Sequence, residues 1–153
     1  YSINIDISFL PIFAALLGFQ FLNWAPAIVF MGDGGSTFLG ALYAGLIYYS
    51  NSLEQTINLI LVSLPLILDT SFCLLRRLYA RHNIFKAHKL HLFQRLHQAG
   101  YSHSLISFVY ISSVAAIAIA LSFKGLETAL VISLIIFLTG VFLDRNVAIP
   151  FSK

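Results

Sequence analysis

Charge is what this sequence has least of. Asp, Glu, Lys and Arg make up 10% of its 153 residues, where an ordinary globular chain carries about 25%. So few ionisable groups cannot coat a water-facing surface, which excludes a conventional soluble domain. Cysteine occurs once, at Cys73, excluding an internal disulfide and any metal site built from cysteine alone. By itself it reads as a small buried hydrophobe. No acidic residue lies between positions 70 and 126, so the histidines there have no neighbouring carboxylate to act as general base of a zinc hydrolase. There is no internal repeat and no low-complexity segment. The chain opens on Tyr1, and no basic segment precedes its first apolar run. A signal peptide is therefore not expected, and the sequence reads as a fragment or mature piece whose beginning lies elsewhere.

What is present is apolar residue in long runs. The chain is 59% hydrophobic with a mean hydropathy of +0.88, which suits a lipid-facing surface. Spanning a bilayer takes about 20 mostly apolar residues. On that basis the sequence predicts an all-α integral membrane protein, a single membrane domain over 1–153 with about five transmembrane helices near 7–22, 36–53, 55–75, 104–123 and 127–143. Small residues along the fourth (Ser112, Ser113, Ala115, Ala116, Ala118, Ala120) suggest close helix packing, because lipid supplies no hydrophobic drive.

The exception is the long basic loop 76–103, RRLYARHNIFKAHKLHLFQRLHQAGYSH. It gathers Arg76, Arg77, Arg81, Lys86, Lys89 and Arg95, six of the nine Lys and Arg residues, and all five histidines. Threading five spans puts Arg145 and Lys153 on the loop's side and leaves Lys124 alone opposite. By the positive-inside rule the loop is cytoplasmic, and Asp33 shares its face.

Three features carry candidate chemistry. In Met31-Gly32-Asp33-Gly34-Gly35-Ser36, glycines before a helix let backbone amides approach an anion, and Asp33 could hold a hard cation that bridges to phosphate. Alternatively, Asp33 or Ser36 simply caps the second span. Asp69, in an apolar helix two turns before Arg76 and Arg77, is a functional candidate because of its depth. It could instead form a structural ion pair with either arginine, or sit beyond the lipid core. His88 and His91 are spaced as neighbours on one helical face and could ligate zinc. Phosphate recognition by Lys86, Lys89, Arg95 and His91 suits the loop better.

These segments resemble the polyprenyl-phosphate N-acetylhexosaminyl-1-phosphate transferases, glycosyltransferase family 4, bacterial enzymes that initiate O-antigen, capsule and peptidoglycan lipid-linked sugars. PAIVFMGDGGSTFLG (26–40) is similar to that family's Phe-Met-Gly-Asp-x-Gly-Ser segment, PLILDTSFCLLRR (65–77) to its Pro-x-x-x-Asp followed by basic residues, and HLFQRLHQAGYSH (91–103) to its cytoplasmic histidine motif. The resemblance implies that Asp33 is a catalytic, Mg²⁺-coordinating aspartate, and it carries over His91 as catalytic and Arg95 as phosphate-binding. The residues themselves add Lys89, Lys86, Gly34, Gly35 and Ser36 as candidate phosphate binders, with Asp69, Arg76 and Arg77 as candidate supports. The implied reaction transfers N-acetylhexosamine 1-phosphate from a UDP-N-acetylhexosamine to polyprenyl phosphate and releases UMP at the bacterial inner membrane. Many relatives carry His-x-His-His in the loop, whereas Phe93 and Gln94 stand at the later positions here. The family's earlier acidic motifs have no counterpart in this chain, which therefore resembles a C-terminal portion, not expected to catalyse transfer without the missing N-terminal half. Membrane lipid is a further expected partner, a homodimer is left open, and nucleic acid is not expected. Two rival readings stand beside this one: a cation channel or transporter segment using Asp33 and Asp69, and a non-catalytic membrane subunit whose loop binds lipid headgroups.

Overall fold

The computed structural model describes residues 9–24 and 26–151. Residues 7 and 8 of the first expected span, and Lys153, lie outside the described residues. Those described form six helices and no strand: α1 (Leu10–Asn23), α2 (Gly32–Tyr48), α3 (Leu53–Tyr79), α4 (Leu92–Gln98), α5 (His103–Phe123) and α6 (Leu126–Asn146). They divide into two compact units between Gly45 and Leu46, each described separately below.

In the first unit, α1 opens with Pro11 in its first turn, where a missing amide is tolerated. Its 14 residues reach about 21 Å, short of the roughly 30 Å hydrocarbon core. After it the chain folds back, with the Asn23 side-chain amide donating to the Val29 carbonyl at 2.8 Å and the Ile28 amide donating to the Leu22 carbonyl. α2 begins at Gly32, four residues before the expected 36, so the Gly-Asp-Gly-Gly turn is its first turn. Gly32 has φ +64°, a left-handed conformation that costs a residue with a Cβ about 1 kcal/mol or more.

The second unit is built on three helices long and apolar enough to cross a membrane: α3, α5 and α6. The chain is thus an all-α, multi-pass membrane protein. α3 starts where Ser52 Oγ accepts the Gln55 amide at 3.1 Å. Glu54 in its first turn and Arg76 and Arg77 in its last match the helix dipole at each end. Its 27 residues extend about 40 Å, so about 10 Å must project beyond a 30 Å core. The expected third span stopped at 75. The helix runs on to Tyr79 because the arginines at its end bond into the fold.

α5 and α6, 21 residues each, are about 31 Å long. They are joined by Lys124-Gly125, whose amides both donate to the Ala120 carbonyl. Gly125 has φ +86°. The three helices meet at Leu61, Ile117, Ala120 and Ala129, all buried. Alanines there let backbones approach, the packing expected where lipid competes for apolar surface. Leu130, Leu134, Ile135 and Leu138 on α6, and Phe108 and Ile119 on α5, stay exposed, as a lipid-facing surface requires. A smaller cluster of Leu96, Ile106 and Ala148 seats α4 against α5 and the segment after α6.

Candidate functional site

The basic stretch separates into two kinds of cation. Arg76 makes a two-pronged pair with Asp144, Nη1 to Oδ1 at 2.9 Å and Nη2 to Oδ2 at 2.5 Å. Arg95 donates to the same carboxylate at 2.5 Å, to the Asp144 carbonyl at 3.1 Å and, through Nε, to the Ile149 carbonyl at 2.7 Å. The Phe151 ring lies 5.7 Å from each guanidinium. Arg77 is buried and donates to the carbonyls of Ile84 (3.1 Å), Lys86 (3.0 Å) and Asn83. Lys86 and Lys89 are exposed, and among the described residues neither forms an ion pair. The expectation that Arg95 meets phosphate directly is therefore not what the geometry offers. Its side chain is 4% exposed and turned inward by Asp144, an acceptor the sequence reading had not singled out.

Asp69 is the hub of the remaining polar groups. Its side chain is 8% exposed. Oδ1 accepts the Leu92 amide at 2.8 Å and Oδ2 the Tyr110 hydroxyl at 2.9 Å. Leu92 is the first residue of α4, so a carboxylate from α3 satisfies a first-turn amide of another helix and faces its positive end. Of the open readings of Asp69, the ion pair with Arg76 or Arg77 is not formed.

His91 is the N-cap residue of α4. Its amide donates to the Gln94 side chain at 3.3 Å, so Gln94 braces the start of the helix. The His91 ring stacks on His88 at 5.1 Å and on Phe93 at 5.5 Å. Its Nδ1 is buried, has no hydrogen-bond partner, and lies 3.8 Å from Asp69 Oδ1. The His88 pKa is lowered, first by burial, then by Arg77 and His91, which favours the neutral ring. Cys73 stands one helical turn after Asp69 and is buried. One ligand atom from each of Cys73, His88 and His91 lies within 4.8 Å of the others.

Beside these groups the second unit holds a cavity of about 600 Å³ between α3, α5 and α6. Its walls are chiefly apolar, including Leu68, Phe72, Val109 and Ile136, while Asp69, Arg76, Tyr110 and Asp144 supply polar lining.

In the first unit, Asp33 is exposed in the first turn of α2. The Ser36 hydroxyl donates to the Asp33 carbonyl at 3.1 Å, a bond within the helix that does not cap it. A Cβ added at Gly34 would meet nothing within 4 Å, whereas one at Gly35 would come 2.5 Å from the Met31 side chain. The first turn is thus open on the Gly34 side. One exposed carboxylate fits Mg²⁺ in part, since that ion takes one or two carboxylates and completes its shell with water and phosphate oxygens.

Sequence reasoning identified His91, Asp69 and the cations, and missed Asp144, Tyr110 and the place of Cys73 beside the histidines. A signal existed for Cys73, which shares a helix face with Asp69 at i, i+4 spacing. The partners of Asp144 lie 68 and 49 residues away and leave no local pattern.

Residues 2–51, which include the Gly-Asp-Gly-Gly turn, match the model of a family described as "Glycosyl transferase family 4". The chain is 34% identical over 140 residues to a Bacillus subtilis protein named "Probable undecaprenyl-phosphate N-acetylglucosaminyl 1-phosphate transferase", covering 84% of this chain and 38% of that relative. It is 41% identical over 68 residues to the phospho-N-acetylmuramoyl-pentapeptide-transferase of Streptococcus pyogenes, covering 44% of this chain and 19% of the relative. The chain thus spans well under half the length of the curated relatives it matches. No solved structure matches it significantly. With its helices, its Gly-Asp turn and its histidine segment in place, the chain belongs to glycosyl transferase family 4.

Proposed function

We propose that this chain is part of a membrane enzyme that moves N-acetylhexosamine 1-phosphate from a UDP-sugar to polyprenyl phosphate, undecaprenyl phosphate in bacteria, during cell-envelope polysaccharide synthesis. The observation that carries the reading is the 140-residue match to a relative named as a probable undecaprenyl-phosphate N-acetylglucosaminyl 1-phosphate transferase. The apolar cavity with Asp69, Arg76 and Tyr110 in its lining supports it, since such a space suits a prenyl chain ending in a charged head.

In the reaction, a phosphate oxygen of the lipid acceptor attacks the β-phosphorus of the nucleotide sugar. A new phosphorus–oxygen bond forms as the bond to UMP breaks, and UMP leaves with the electron pair. Each residue has a distinct part. Asp33 supplies a carboxylate for Mg²⁺, which when bound draws charge from the diphosphate. The open amide turn at Gly34 and Gly35 approaches phosphate oxygens, with Ser36 holding the turn. Lys86 and Lys89 offer exposed cations to phosphate. His91 presents its second ring nitrogen to phosphate while Asp69 fixes the start of α4. Arg95 is a positioning residue that acts through Asp144 and the Ile149 carbonyl, as do Arg76 at Asp144 and Arg77 at the loop. The loop lies on the cytoplasmic face of the plasma membrane, where UDP-sugars are found.

The test is UMP release by the full-length protein in membranes supplied with UDP-N-acetylglucosamine, other UDP-N-acetylhexosamines and undecaprenyl phosphate. Asp33→Asn keeps size and helix-end compatibility but loses charge, so transfer should fall about 10²–10³-fold, the scale for losing one stabiliser of developing charge. His91→Ala should also fall strongly, and His82→Ala should change little. Near-normal turnover of Asp33→Asn with unchanged Mg²⁺ dependence would overturn the metal assignment.

A further inference from the structure

The transfer reaction gives no role to Cys73 or His88, yet they converge with His91 from separate elements. Cys73 comes from the last turns of α3, and His88 and His91 from the segment that enters α4. Thiolate and imidazole are the ligand types that select zinc-class divalent ions, and neither is suited to Mg²⁺. We propose that Cys73, His88 and His91 form a binding site for a zinc-class divalent cation, distinct from any Mg²⁺ at Asp33, that pins the start of α4 to α3.

Three observations support the assignment. The ligand atoms lie within 4.8 Å of one another. A tetrahedral zinc with ordinary bond lengths holds such atoms about 3.3–3.6 Å apart, so the rings need to move by only about 1 Å. Two of the three belong to a loop, where that movement is easiest. Second, His91 Nδ1 is buried without a hydrogen-bond partner, and a cation would satisfy it. Third, Asp69 Oδ1 lies 3.8 Å from that nitrogen. Its negative charge, added to that of a Cys73 thiolate, offsets nearby Arg77, whose guanidinium is already bonded to three carbonyls.

The chemistry sets two further conditions. Metal binding removes the proton from the Cys73 thiol. His88 Nδ1 accepts the Leu90 amide at 3.3 Å, and this long bond is given up on binding, because an imidazole that ligates through one nitrogen carries its proton on the other. With His91 Nδ1 metallated, its other nitrogen holds the proton and remains a donor, so the site is compatible with the part given to His91 in transfer. Three protein ligands leave a fourth position for water or an anion.

The experiment uses the full chain, free of any affinity tag, folded in detergent micelles or nanodiscs and titrated with Co²⁺ alone, then with Zn²⁺ in competition. The expected result is about one Co²⁺ per chain, with a near-ultraviolet thiolate-to-cobalt absorption band that Zn²⁺ abolishes. Cys73→Ser should lose the band. His88→Ala, a loop change that leaves helicity intact by circular dichroism, should weaken Co²⁺ binding by more than the about 10–100-fold typical of a lost supporting residue. Asp69→Asn should fall within that range. Absence of a thiolate band in folded protein, or His88→Ala binding Co²⁺ as the parent does, would overturn the site. Neither result bears on UDP-sugar turnover, which is measured separately.

Discussion

Arg95 and Lys89 are six positions apart and carry the same charge, yet their fates are opposite. Arg95 is 4% exposed and bonded to a carboxylate and two carbonyls; Lys89 is exposed with no ion pair among the described residues. Arg76 and Arg77 go the way of Arg95, and Lys86 the way of Lys89. The division follows the side chains' chemistry. A planar guanidinium with five donors can satisfy several fixed acceptors at once, while an ammonium on a flexible stem is strongly hydrated and stays in water. A cluster of cations in a sequence therefore overstates what is available to a ligand. Here Arg76, Arg77 and Arg95 assemble the site, while Lys86 and Lys89, like Arg81, stay exposed.

The sharpest way to break this contrast is to remove the acceptor. Asp144→Ala strands Arg95 in the interior, and losing one partner of a buried pair costs about 3–5 kcal/mol. Unfolding in detergent should show a loss of that size, larger than for Arg76→Ala, whose side chain is 38% exposed. If Asp144→Ala unfolds like the parent, the arginine knot is not structural. Next in size is Arg95→Lys. An ammonium cannot span Asp144 and the Ile149 carbonyl as the fork does, so stability should drop by about 1–3 kcal/mol, the cost of buried groups left unsatisfied. Tyr110→Phe removes one neutral-to-charged hydrogen bond to Asp69 and should cost about 1.5–3 kcal/mol at most, read by the same unfolding measurement. The smallest stability effect belongs to the lysines. Lys86→Gln with Lys89→Gln should change stability by no more than about 0.5 kcal/mol, while binding to vesicles rich in anionic lipid weakens by about 1 kcal/mol per charge. A large stability loss there would erase the distinction.

The fold was legible because lipid solvent imposes long apolar runs, and α5 and α6 lie almost where 104–123 and 127–143 were expected. Boundaries set by polar detail were harder. α2 starts early because glycines are accepted in a first turn, and α3 runs past 75 because arginines with acceptors do not stop a helix. Asp33 in the first unit and His91 in the second stood out by motif, and the choice of partner did not. Asp69 lies seven residues from Arg76, yet it caps α4 and holds Tyr110, while Arg76 bonds a carboxylate 68 residues away. Such pairings are decided by how helices stack, which the apolar pattern does not specify.

The Lys124-Gly125 turn has a consequence for the order of assembly. It ties α5 to α6 by contacts between residues close in sequence, such as Ala120 and Ala129 in one buried cluster, and local contacts form fastest. The pair should therefore enter the bilayer as a hairpin and serve as the template on which α3, and with it the Asp69–α4 junction, is later registered. A bulkier residue at Gly125, forced into φ +86°, would then be felt during biogenesis as slowed insertion and greater proteolysis of nascent chains, more than in the finished protein.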